Sequence, residues 1–269
     1  MISLKGRTAL VTGASSGIGA SLARQLARAG ANLIVTARRG DRLEALAKEL
    51  REAHGVEVTS VPLDLGTADA PRLLFEATAG AGKTVDILVN NAGFGTQERF
   101  DRMPWAKAAE QLQLNIVSLT ELTRRFVEPM VERGRGHILN VASIGAYMPV
   151  PWYATYAAGK AYVRNFSEAI AAELADTGVH VCCVCPGGTR TEFLRVAGQT
   201  PSFLINATMM SADACAEIAL HALFEGRRNI VAGWMNSVVC WLLRFVPRRV
   251  MVWGAGLVMG KRSVPTAAG

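Results

Sequence analysis

The sequence predicts an α/β fold: a doubly wound parallel sheet of about seven strands with helices on both faces, followed by an apolar helical extension at the C-terminus. Three observations carry this prediction. Short runs that are apolar throughout recur along the chain, as expected of strands buried on both faces. Stretches with helical spacing of apolar residues separate these runs. Turn residues, mostly glycine, bound both kinds of segment.

The predicted elements alternate regularly in chain order. Asp41 precedes a stretch with helical periodicity, so it is expected to cap the second helix through its carboxylate. A further helix is expected to begin near Tyr153, between the fifth and sixth strands. The strands are predicted at residues 8–13, 33–37, 56–65, 87–90, 138–142, 179–185 and 230–232, and the first two helices at residues 18–29 and 41–53.

The 269 residues are expected to form one domain, residues 1–235, with an extension of that domain over residues 236–269. The extension holds two short apolar runs, which Arg244 and the segment Pro247-Arg248-Arg249 separate. A membrane-spanning helix needs about 20 uninterrupted apolar residues, so neither run is expected to cross a bilayer. Two alternatives stay open: the extension packs against the body or a partner subunit, or it lies on a membrane surface.

Composition excludes several other classes of protein. The net charge of +7 does not indicate nucleic-acid binding, because the basic residues are scattered and aromatic residues do not alternate with them. An anionic cofactor or an anionic membrane surface is the more economical use of that charge. The four histidines are far apart along the chain and lack the spacing of metal ligands, so no metal site is predicted.

Three of the five cysteines, Cys182, Cys183 and Cys185, lie in one apolar strand. Adjacent residues of a strand point to opposite faces, so these cysteines are expected to be small buried hydrophobes rather than a disulfide framework. A reduced, cytoplasmic setting is therefore favoured. The charged, glycine-rich start of the chain does not have the pattern of a signal peptide.

A glycine-rich turn follows the first predicted strand, in the segment Thr12-Gly13-Ala14-Ser15-Ser16-Gly17-Ile18-Gly19. Backbone N–H groups in such a turn face outward, and the dipole of the following helix adds positive potential. The arrangement predicts a site for the phosphates of a dinucleotide. Glycines also make ordinary tight turns, so the position directly after the first strand carries the prediction.

The end of the second strand indicates which dinucleotide binds. Folds that bind NAD usually place an acidic residue there for the ribose 2′-hydroxyl, whereas this chain has Arg38 and Arg39. A guanidinium binds a 2′-phosphate through charge-assisted hydrogen bonds, so NADP is favoured over NAD. Ser15 could add a hydroxyl to the same phosphate. The alternative is that both arginines are solvated loop charges.

Tyr156 and Lys160 lie four residues apart in a helical stretch and therefore on one side of the helix. A nearby ammonium stabilises a phenolate, so Lys160 is expected to lower the pKa of Tyr156 and make it an acid or base. The spacing alone is common and usually structural. Ser143 strengthens the prediction, because it follows a strand thirteen residues earlier, at the edge where α/β sheets bind ligands.

Together these motifs resemble the short-chain dehydrogenase/reductase family, over residues 5 to about 235. The resemblance implies a Rossmann-like fold and assembly as a homodimer or homotetramer, and Arg38 and Arg39 favour NADP as the cofactor (NADPH preferred over NADH). The implied cofactor-binding residues are Gly13, Ser15, Ser16, Gly17, Ile18, Gly19, Arg38, Arg39, Asp64, Leu65, Asn91, Ala92, Gly93, Tyr156, Lys160, Pro186, Gly187, Thr189 and Thr191.

The same resemblance implies a catalytic tetrad of Asn115, Ser143, Tyr156 and Lys160. Ser143 would orient the substrate carbonyl, and Tyr156 would be the general acid for reduction or the base for oxidation. Lys160 would lower the tyrosine pKa and hold the nicotinamide ribose. Asn115 would shape its helix so that a backbone carbonyl holds a water that extends a proton relay from Lys160.

A lipophilic ketone, aldehyde or alcohol is the favoured substrate, because two apolar segments are expected to cover the site. Alternatively, half of these side chains belong to the core and the substrate is small and polar. Rival functions are a 3-oxoacyl thioester reductase of lipid metabolism and a non-catalytic NADPH-binding scaffold. The expected wall residues are Ile144, Tyr147, Met148, Val150, Pro151, Trp152, Phe193, Leu194, Val196, Phe203, Leu204, Ile205, Met209 and Met210.

Overall fold

A sheet of seven parallel strands forms the centre of the computed structural model, which describes residues 3–193, 197 and 209–259. The strand order is β3-β2-β1-β4-β5-β6-β9, and a separate parallel pair joins β7 to β8. This sheet confirms the predicted fold class. The strands are β1 Thr8–Thr12, β2 Asn32–Ala37, β3 Val58–Pro62, β4 Ile87–Asn90, β5 Gly136–Val141, β6 Val179–Pro186, β7 Thr189–Arg190, β8 Met210–Ser211 and β9 Asn229–Ala232.

Nine α-helices accompany these strands within the described residues. A π-helical turn, Gln113–Ser118, joins the fourth helix to the fifth, and a 3-10 turn, Ile144–Tyr147, follows β5. The helices are α1 Gly17–Arg28, α2 Gly40–His54, α3 Ala70–Glu76, α4 Trp105–Leu112, α5 Leu119–Glu132, α6 Ala154–Glu173, α7 Ala212–Phe224, α8 Trp234–Leu242 and α9 Arg248–Met259.

Two apolar layers enclose the sheet because successive strand residues face opposite sides. In β1, Val11 packs into a cluster that includes Leu22 of α1 and Leu223 of α7. The neighbouring Leu10 packs on the other face, in a cluster that includes Leu74 of α3 and Phe126 of α5. Helices α1, α2 and α7 therefore cover one face, and α3, α5 and α6 cover the other, which explains why the strands carry no polar alternation.

The predicted cap of the second helix is wrong. Helix α2 begins at Gly40, and its N-cap position is Arg39, which makes no side-chain cap hydrogen bond. Asp41 instead lies in the first turn, where its negative charge meets the positive end of the helix dipole. The third strand is also shorter than predicted, because it is an edge strand that pairs only with β2.

All five cysteines are buried and free of disulfide bonds, as predicted. Cys182 belongs to the cluster under α1 and α7, whereas Cys183 and Cys185 face the opposite side of the sheet, near Val163 of α6. They therefore act as small apolar side chains on both faces. The cytoplasmic setting drawn from this pattern stays a prediction.

The expected separation of the histidines holds along the chain but not in space. His137 of β5 and His180 of β6 are register partners, and their ring centroids are 5.4 Å apart. Burial, together with the neighbouring His180 ring, lowers the pKa of His137 to about 4, so this pair is not a dication at neutral pH. No group of three or more His, Cys, Asp or Glu side chains in the described residues could hold a metal ion.

A buried polar chain ties the middle of the sheet to α5 and α6. The Asn90 side-chain amide donates to Thr123 Oγ1 (3.0 Å) and to Asn140 Oδ1 (2.9 Å), and Asn140 donates to Ser167 Oγ (2.9 Å). Ser167 in turn donates to the Val163 carbonyl. Since α6 carries the Tyr156–Lys160 pair, these bonds fix its position against β4 and β5.

The C-terminal extension starts at α8 and continues through a 3-10 turn, Leu243–Phe245, into α9. Its inner side contacts the body: Cys240 is buried, and Met259 packs with Val150 and Tyr153. None of the described helices is long and apolar enough to cross a membrane. Helix α8 begins one residue before the predicted boundary at residue 235, and the division into domain and extension stays a prediction.

Candidate active site

A cavity of about 650 Å³ lies at the carboxyl edge of the sheet. The strand order reverses its direction of winding between β1 and β4, which is where open α/β sheets bind ligands. Five segments supply the predicted site residues that line this cavity: Gly13, Ser15, Ser16, Gly17 and Ile18; Arg38 and Arg39; Asp64 and Leu65; Asn91, Ala92 and Gly93; and Pro186, Gly187, Thr189 and Thr191. Ser143, Tyr156 and Lys160 line it as well.

The glycine-rich turn fits closely against the segment that follows β4. Gly13 has a φ of +65°, and a side chain there would meet Ala92 Cα at 2.9 Å. Asn91 donates to the Thr12 carbonyl (2.9 Å), and Thr12 Oγ1 accepts from the backbone N–H groups of Asn91 and Ala92 (both 3.0 Å). These hydrogen bonds fix the start of the turn against the segment after β4, and within the turn the Ala14 N–H donates to the Thr36 carbonyl (3.3 Å).

Gly19 is the one predicted cofactor residue that does not line the cavity. A Cβ there would collide with the Gly13 carbonyl and with the Asn91 side chain. The third glycine therefore serves the close approach of α1 to the end of β1 rather than contact with a ligand.

The two arginines after β2 have different surroundings. The Arg39 guanidinium donates to Ser15 Oγ (3.1 Å) and Ser16 Oγ (2.9 Å), so it leans over the glycine-rich turn. Arg38 is more exposed, with 60% of its side chain accessible, and its guanidinium lies 3.5 Å from Glu110. Arg39 is therefore the better placed of the two for a phosphate beside Ser15 and Ser16.

Glu192 was not singled out by the sequence, but it lines the same end of the cavity. Its carboxylate accepts from Arg39 (2.8 Å) and from Arg42 (3.1 Å). These hydrogen bonds lower the pKa of Glu192 to about 2, so it is ionised at neutral pH. The carboxylate thus neutralises two guanidinium groups at this part of the cavity. Its partners are about 150 residues away in sequence, so no local pattern could have indicated it.

Tyr156 and Lys160 lie one turn apart on one side of α6 and line the same cavity as Arg39. Lys160 Nζ is 5.8 Å from the centroid of the Tyr156 ring and donates to the Val141 carbonyl (2.7 Å). Ser143 follows β5, and its hydroxyl accepts from the Gly145 N–H (3.1 Å). Three elements therefore bring a phenol, an ammonium and a hydroxyl to one wall.

The expected acidity of Tyr156 is not found. Burial raises the pKa of Tyr156 to about 12, and a hydrogen bond with the Ser143 side chain offsets only part of that shift. The Lys160 ammonium, which donates to the Val141 carbonyl, does not offset this rise. The phenol is consequently protonated at neutral pH, which suits a proton donor better than a base.

Lys160 is itself a buried cation, with 5% of the residue accessible. Burial lowers the pKa of Lys160 to about 8, because the ammonium loses hydration that one carbonyl does not replace. The group is thus charged at pH 7 and close to the point at which it loses its proton.

Asn115 does not line the cavity but lies behind it, in the π-helical turn between α4 and α5. Its side chain exchanges two hydrogen bonds with the backbone of Phe94, accepting from N–H (3.2 Å) and donating to C=O (2.8 Å). A Cβ on Gly93 would meet both Asn115 Oδ1 (2.8 Å) and Lys160 Nζ (3.5 Å). Asn115 therefore anchors the segment after β4 beside the lysine, and the π-turn displaces its own backbone from the regular helical pattern.

The expected substrate walls are only partly on the cavity. Ile144, Met148, Val150 and Phe193 line it, and Phe193 packs against Tyr156 with ring centroids 5.3 Å apart. The predictions for Tyr147, Pro151, Trp152, Met209 and Met210 are wrong: these residues do not line the cavity. The other five predicted wall residues lie outside the part of the chain that the structure describes: Leu194, Val196, Phe203, Leu204 and Ile205.

Tyr147 shows why an apolar segment does not predict which of its side chains line the cavity. Its ring packs in the core with Val163, and its hydroxyl donates to Asn229 (3.1 Å), so it serves the sheet rather than the cavity. The sequence also missed three residues of the extension that do line the cavity: Asn236, Val258 and Met259. They reach the cavity because α8 and α9 fold back onto the body of the protein.

The chain is similar to known proteins over most of its length. The family model described as short chain dehydrogenase matches residues 7–202. An uncharacterized oxidoreductase of Myxococcus xanthus is 33% identical over 92% of this chain and 95% of its own length. The 3-oxoacyl-[acyl-carrier-protein] reductase FabG of Aquifex aeolicus is 32% identical over 74% of this chain and 80% of its own length.

Solved structures are similar over most of the chain. A 7beta-hydroxysteroid dehydrogenase superposes with a TM-score of 0.86, at 25% identity, over 94% of this chain and 98% of that one. A short-chain dehydrogenase from Sphingobium yanoikuyae in complex with NADPH gives a TM-score of 0.79, at 29% identity, over 90% of this chain and 97% of that one.

Proposed function

The chain belongs to the short-chain dehydrogenase family, and from that premise we propose that it uses NADP to interconvert a carbonyl and an alcohol on a lipophilic substrate. Membership makes it an oxidoreductase that acts on CH–OH or C=O groups. The cofactor preference, the substrate and the residue roles are the proposal. One observation carries it: Tyr156, Ser143 and Lys160 line the same cavity as Arg39, whose guanidinium binds a carboxylate there.

The proton chemistry is assigned to Tyr156 and Ser143. Ser143 holds the substrate oxygen, and Tyr156 donates a proton to it, because the buried phenol keeps its proton at neutral pH. The nicotinamide supplies hydride transfer at the carbon. This division favours reduction over oxidation, since oxidation needs the phenolate.

Lys160 and Asn115 support the reacting groups. The Lys160 ammonium holds the nicotinamide ribose beside Tyr156, and its buried position supports that role, because few other acceptors compete for it. Asn115 fixes the segment that contains Gly93 against the lysine. The proton relay through a water at the π-turn is part of the same proposal.

NADP is preferred over NAD because of the anion site at Arg39. The 2′-phosphate binds the Arg39 guanidinium and the hydroxyls of Ser15 and Ser16, in place of the Glu192 carboxylate. No carboxylate follows β2 in the position that would favour a 2′-hydroxyl. The related NADPH complex supports this preference.

An apolar substrate fits the other end of the cavity. Met148, Val150, Phe193 and Val258 line it beside Tyr156, and few polar groups there could orient a sugar. The likeness to a 7beta-hydroxysteroid dehydrogenase supports a bulky apolar ketone. A 3-oxoacyl thioester is the second candidate, which the likeness to FabG favours. Rates on free ketones and on 3-oxoacyl thioesters of matched chain length separate the two.

Assembly and location belong to the proposal as well. A homodimer or homotetramer would form through α5 and α6, whose outer sides expose Val131 and Tyr162. The protein would be cytoplasmic, with contact to a membrane surface through its extension.

The test is to replace Tyr156 with phenylalanine. Tyr156→Phe should bind NADPH as the wild type does and lose at least about a thousandfold in kcat, because it lacks only the transferable proton. Tyr162→Phe is the matched control on the same helix, since Tyr162 is 38% exposed, does not line the cavity, and has its hydroxyl 3.0 Å from Thr120 Oγ1. Turnover retained by Tyr156→Phe would refute the proposed role.

A further inference from the structure

We propose that the outer side of α8 and α9 docks on an anionic lipid bilayer and brings the mouth of the cavity to the lipid surface. This C-terminal apolar surface consists of Trp234, Met235, Val238, Val239, Trp241, Leu242, Phe245, Val250, Val252, Trp253, Leu257 and Val258. The docking is inferred from this surface and does not depend on the proposed function. The entry of substrate from the bilayer rests on the proposed function.

The exposure of these residues is the first argument. Trp234 is 77% exposed, Phe245 71% and Trp253 67%. Twelve of the eighteen large apolar side chains that the described residues expose lie within residues 234–258. Such a concentration of exposed large apolar side chains in one segment is typical of surfaces that bind a membrane or another protein.

Charge is the second argument. Glu225 is the last acidic residue of the chain, and seven basic residues follow it: Arg227, Arg228, Arg244, Arg248, Arg249, Lys261 and Arg262. The first 225 residues contain 22 basic and 22 acidic side chains, so the whole net charge of +7 resides in the last 44 residues. Lys261 and Arg262 lie outside the described residues. Apolar residues mixed with arginines and no acids are typical of segments that lie on anionic bilayers.

The same charge argues against a second copy of this chain as the occupant. A two-fold symmetric contact pairs a surface with itself. Arg244, Arg248 and Arg249 would then face one another without an acidic partner on this surface. Lipid phosphates supply the anions that the surface lacks, so the bilayer is the complementary partner.

The helix lengths fix how the surface meets the bilayer. Helices α8 and α9 have 9 and 12 residues, which corresponds to about 14 Å and 18 Å. The hydrocarbon core is about 30 Å thick, so both helices lie along the interface. The tryptophans suit that depth, because their rings are partly apolar and partly polar.

The inner side of α9 connects the surface to the cavity. The Gln97 side-chain amide donates to the Met259 carbonyl (2.6 Å), which fixes the end of the helix beside the mouth. Val258 and Met259 line the cavity, while Val258 and its neighbour Leu257 are also 62% and 67% exposed. An apolar substrate can therefore pass from lipid to the cavity along one helix end without crossing water.

Sedimentation with lipid vesicles tests the docking. The full chain should bind phosphatidylcholine vesicles that contain phosphatidylglycerol, bind pure phosphatidylcholine much less, and release partly at high salt. Trp253→Glu should weaken binding about tenfold or more. Trp105→Glu is the matched control, because Trp105 is 72% exposed but lies on α4, and it should bind as the wild type does.

A charge pair of variants gives a second comparison. Arg248→Glu should weaken binding to the anionic vesicles, whereas Arg124→Glu, on an equally exposed helix position, should not. Equal effects within either pair, or no binding to anionic vesicles, would overturn the proposal. A dimer that Trp253→Glu dissociates, without vesicle binding, would assign the surface to a second copy.

Substrate entry is tested with two ketones. For a long-chain ketone dissolved in the vesicles, Trp253→Glu should raise the apparent KM several-fold, and for a short water-soluble ketone it should leave KM unchanged. Vesicle binding without turnover of either ketone would refute the proposed function and leave the docking intact. Equal KM effects on both ketones would refute entry from the bilayer.

Discussion

At the scale of single residues, Tyr156 and Lys160 do not interact as their spacing predicts. The spacing predicts an ammonium that acidifies a phenol, yet the phenol is buried and its pKa is raised to about 12. The buried lysine has a pKa of about 8 and points to a backbone carbonyl. The residue types and their placement could be predicted from the sequence, but the electrostatics could not, because desolvation depends on the whole surrounding fold.

The pKa of Lys160 predicts a pH dependence. The ammonium is present below about pH 8 and is lost as pH rises through that value, whereas Tyr156 stays protonated over the same range. We expect kcat/KM for NADPH, which reports groups of the free enzyme, to be level at neutral pH and to fall above about pH 8.

Lys160→Arg tests whether deprotonation of Lys160 causes the fall in kcat/KM above pH 8. Its guanidinium keeps its charge, so the variant should be slower but should lose the fall above pH 8. A wild-type profile that stays level up to pH 10 would contradict the prediction.

The unequal surroundings of Arg38 and Arg39 predict unequal effects on cofactor affinity. Arg39→Ala should raise the Kd of NADPH by about 10- to 100-fold and hardly change that of NADH, because only NADPH carries the 2′-phosphate. Arg38→Ala, the matched control, should change either Kd by less than about threefold, since Arg38 is largely exposed.

Glu192→Gln completes the series. It removes the carboxylate that occupies Arg39 and Arg42, so NADPH should bind several-fold more tightly while NADH is unaffected. Titration of cofactor fluorescence measures all three variants. Equal losses of NADPH and NADH in Arg39→Ala would remove the argument for a 2′-phosphate site.

At the scale of elements, the sequence located strands well and helix starts less well. Apolar runs identify buried strands because burial on both faces favours apolar residues, and the buried Asn90 and Asn140 are accommodated only through hydrogen bonds. Asp41 is not the cap because α2 begins one residue earlier, at Gly40, three residues after the end of β2. The π-turn around Asn115 has no sequence pattern of its own, since regular helical spacing continues through it.

The polar chain between β4, β5 and α6 predicts a large loss of stability from a small change. Asn140 is fully buried, accepts from Asn90 and donates to Ser167, so Asn140→Ala leaves both partners with an unmet hydrogen bond. The free energy of unfolding should fall by about 2–3 kcal/mol.

Urea denaturation measures this loss. Asn165→Ala is the control, because Asn165 is exposed on α6, and its effect should stay within about 0.5 kcal/mol. Similar stability of the two variants would mean that the polar chain contributes little.

At the scale of the whole molecule, the parallel sheet covered on both faces could be predicted from the alternation of elements, but the packing of the extension could not. The inner side packs against the body, as Met259 and Cys240 show, while the outer side is exposed, and contact with a membrane stays a prediction. Amphipathic spacing in the sequence indicates that a helix has an apolar side and a polar side. It does not say which other segment meets each side, and Val258 reaches the cavity from more than 100 residues beyond Ser143.

The uneven distribution of charge acts before any contact is made. A body with balanced charges joined to a cationic end is an electric dipole on the scale of the molecule. Near an anionic surface the field exerts a torque on it within about 8 Å at physiological ionic strength. The molecule therefore rotates so that its cationic end leads, and random collisions become oriented ones. Such alignment raises the rate of productive encounters without adding a single bond to the final complex.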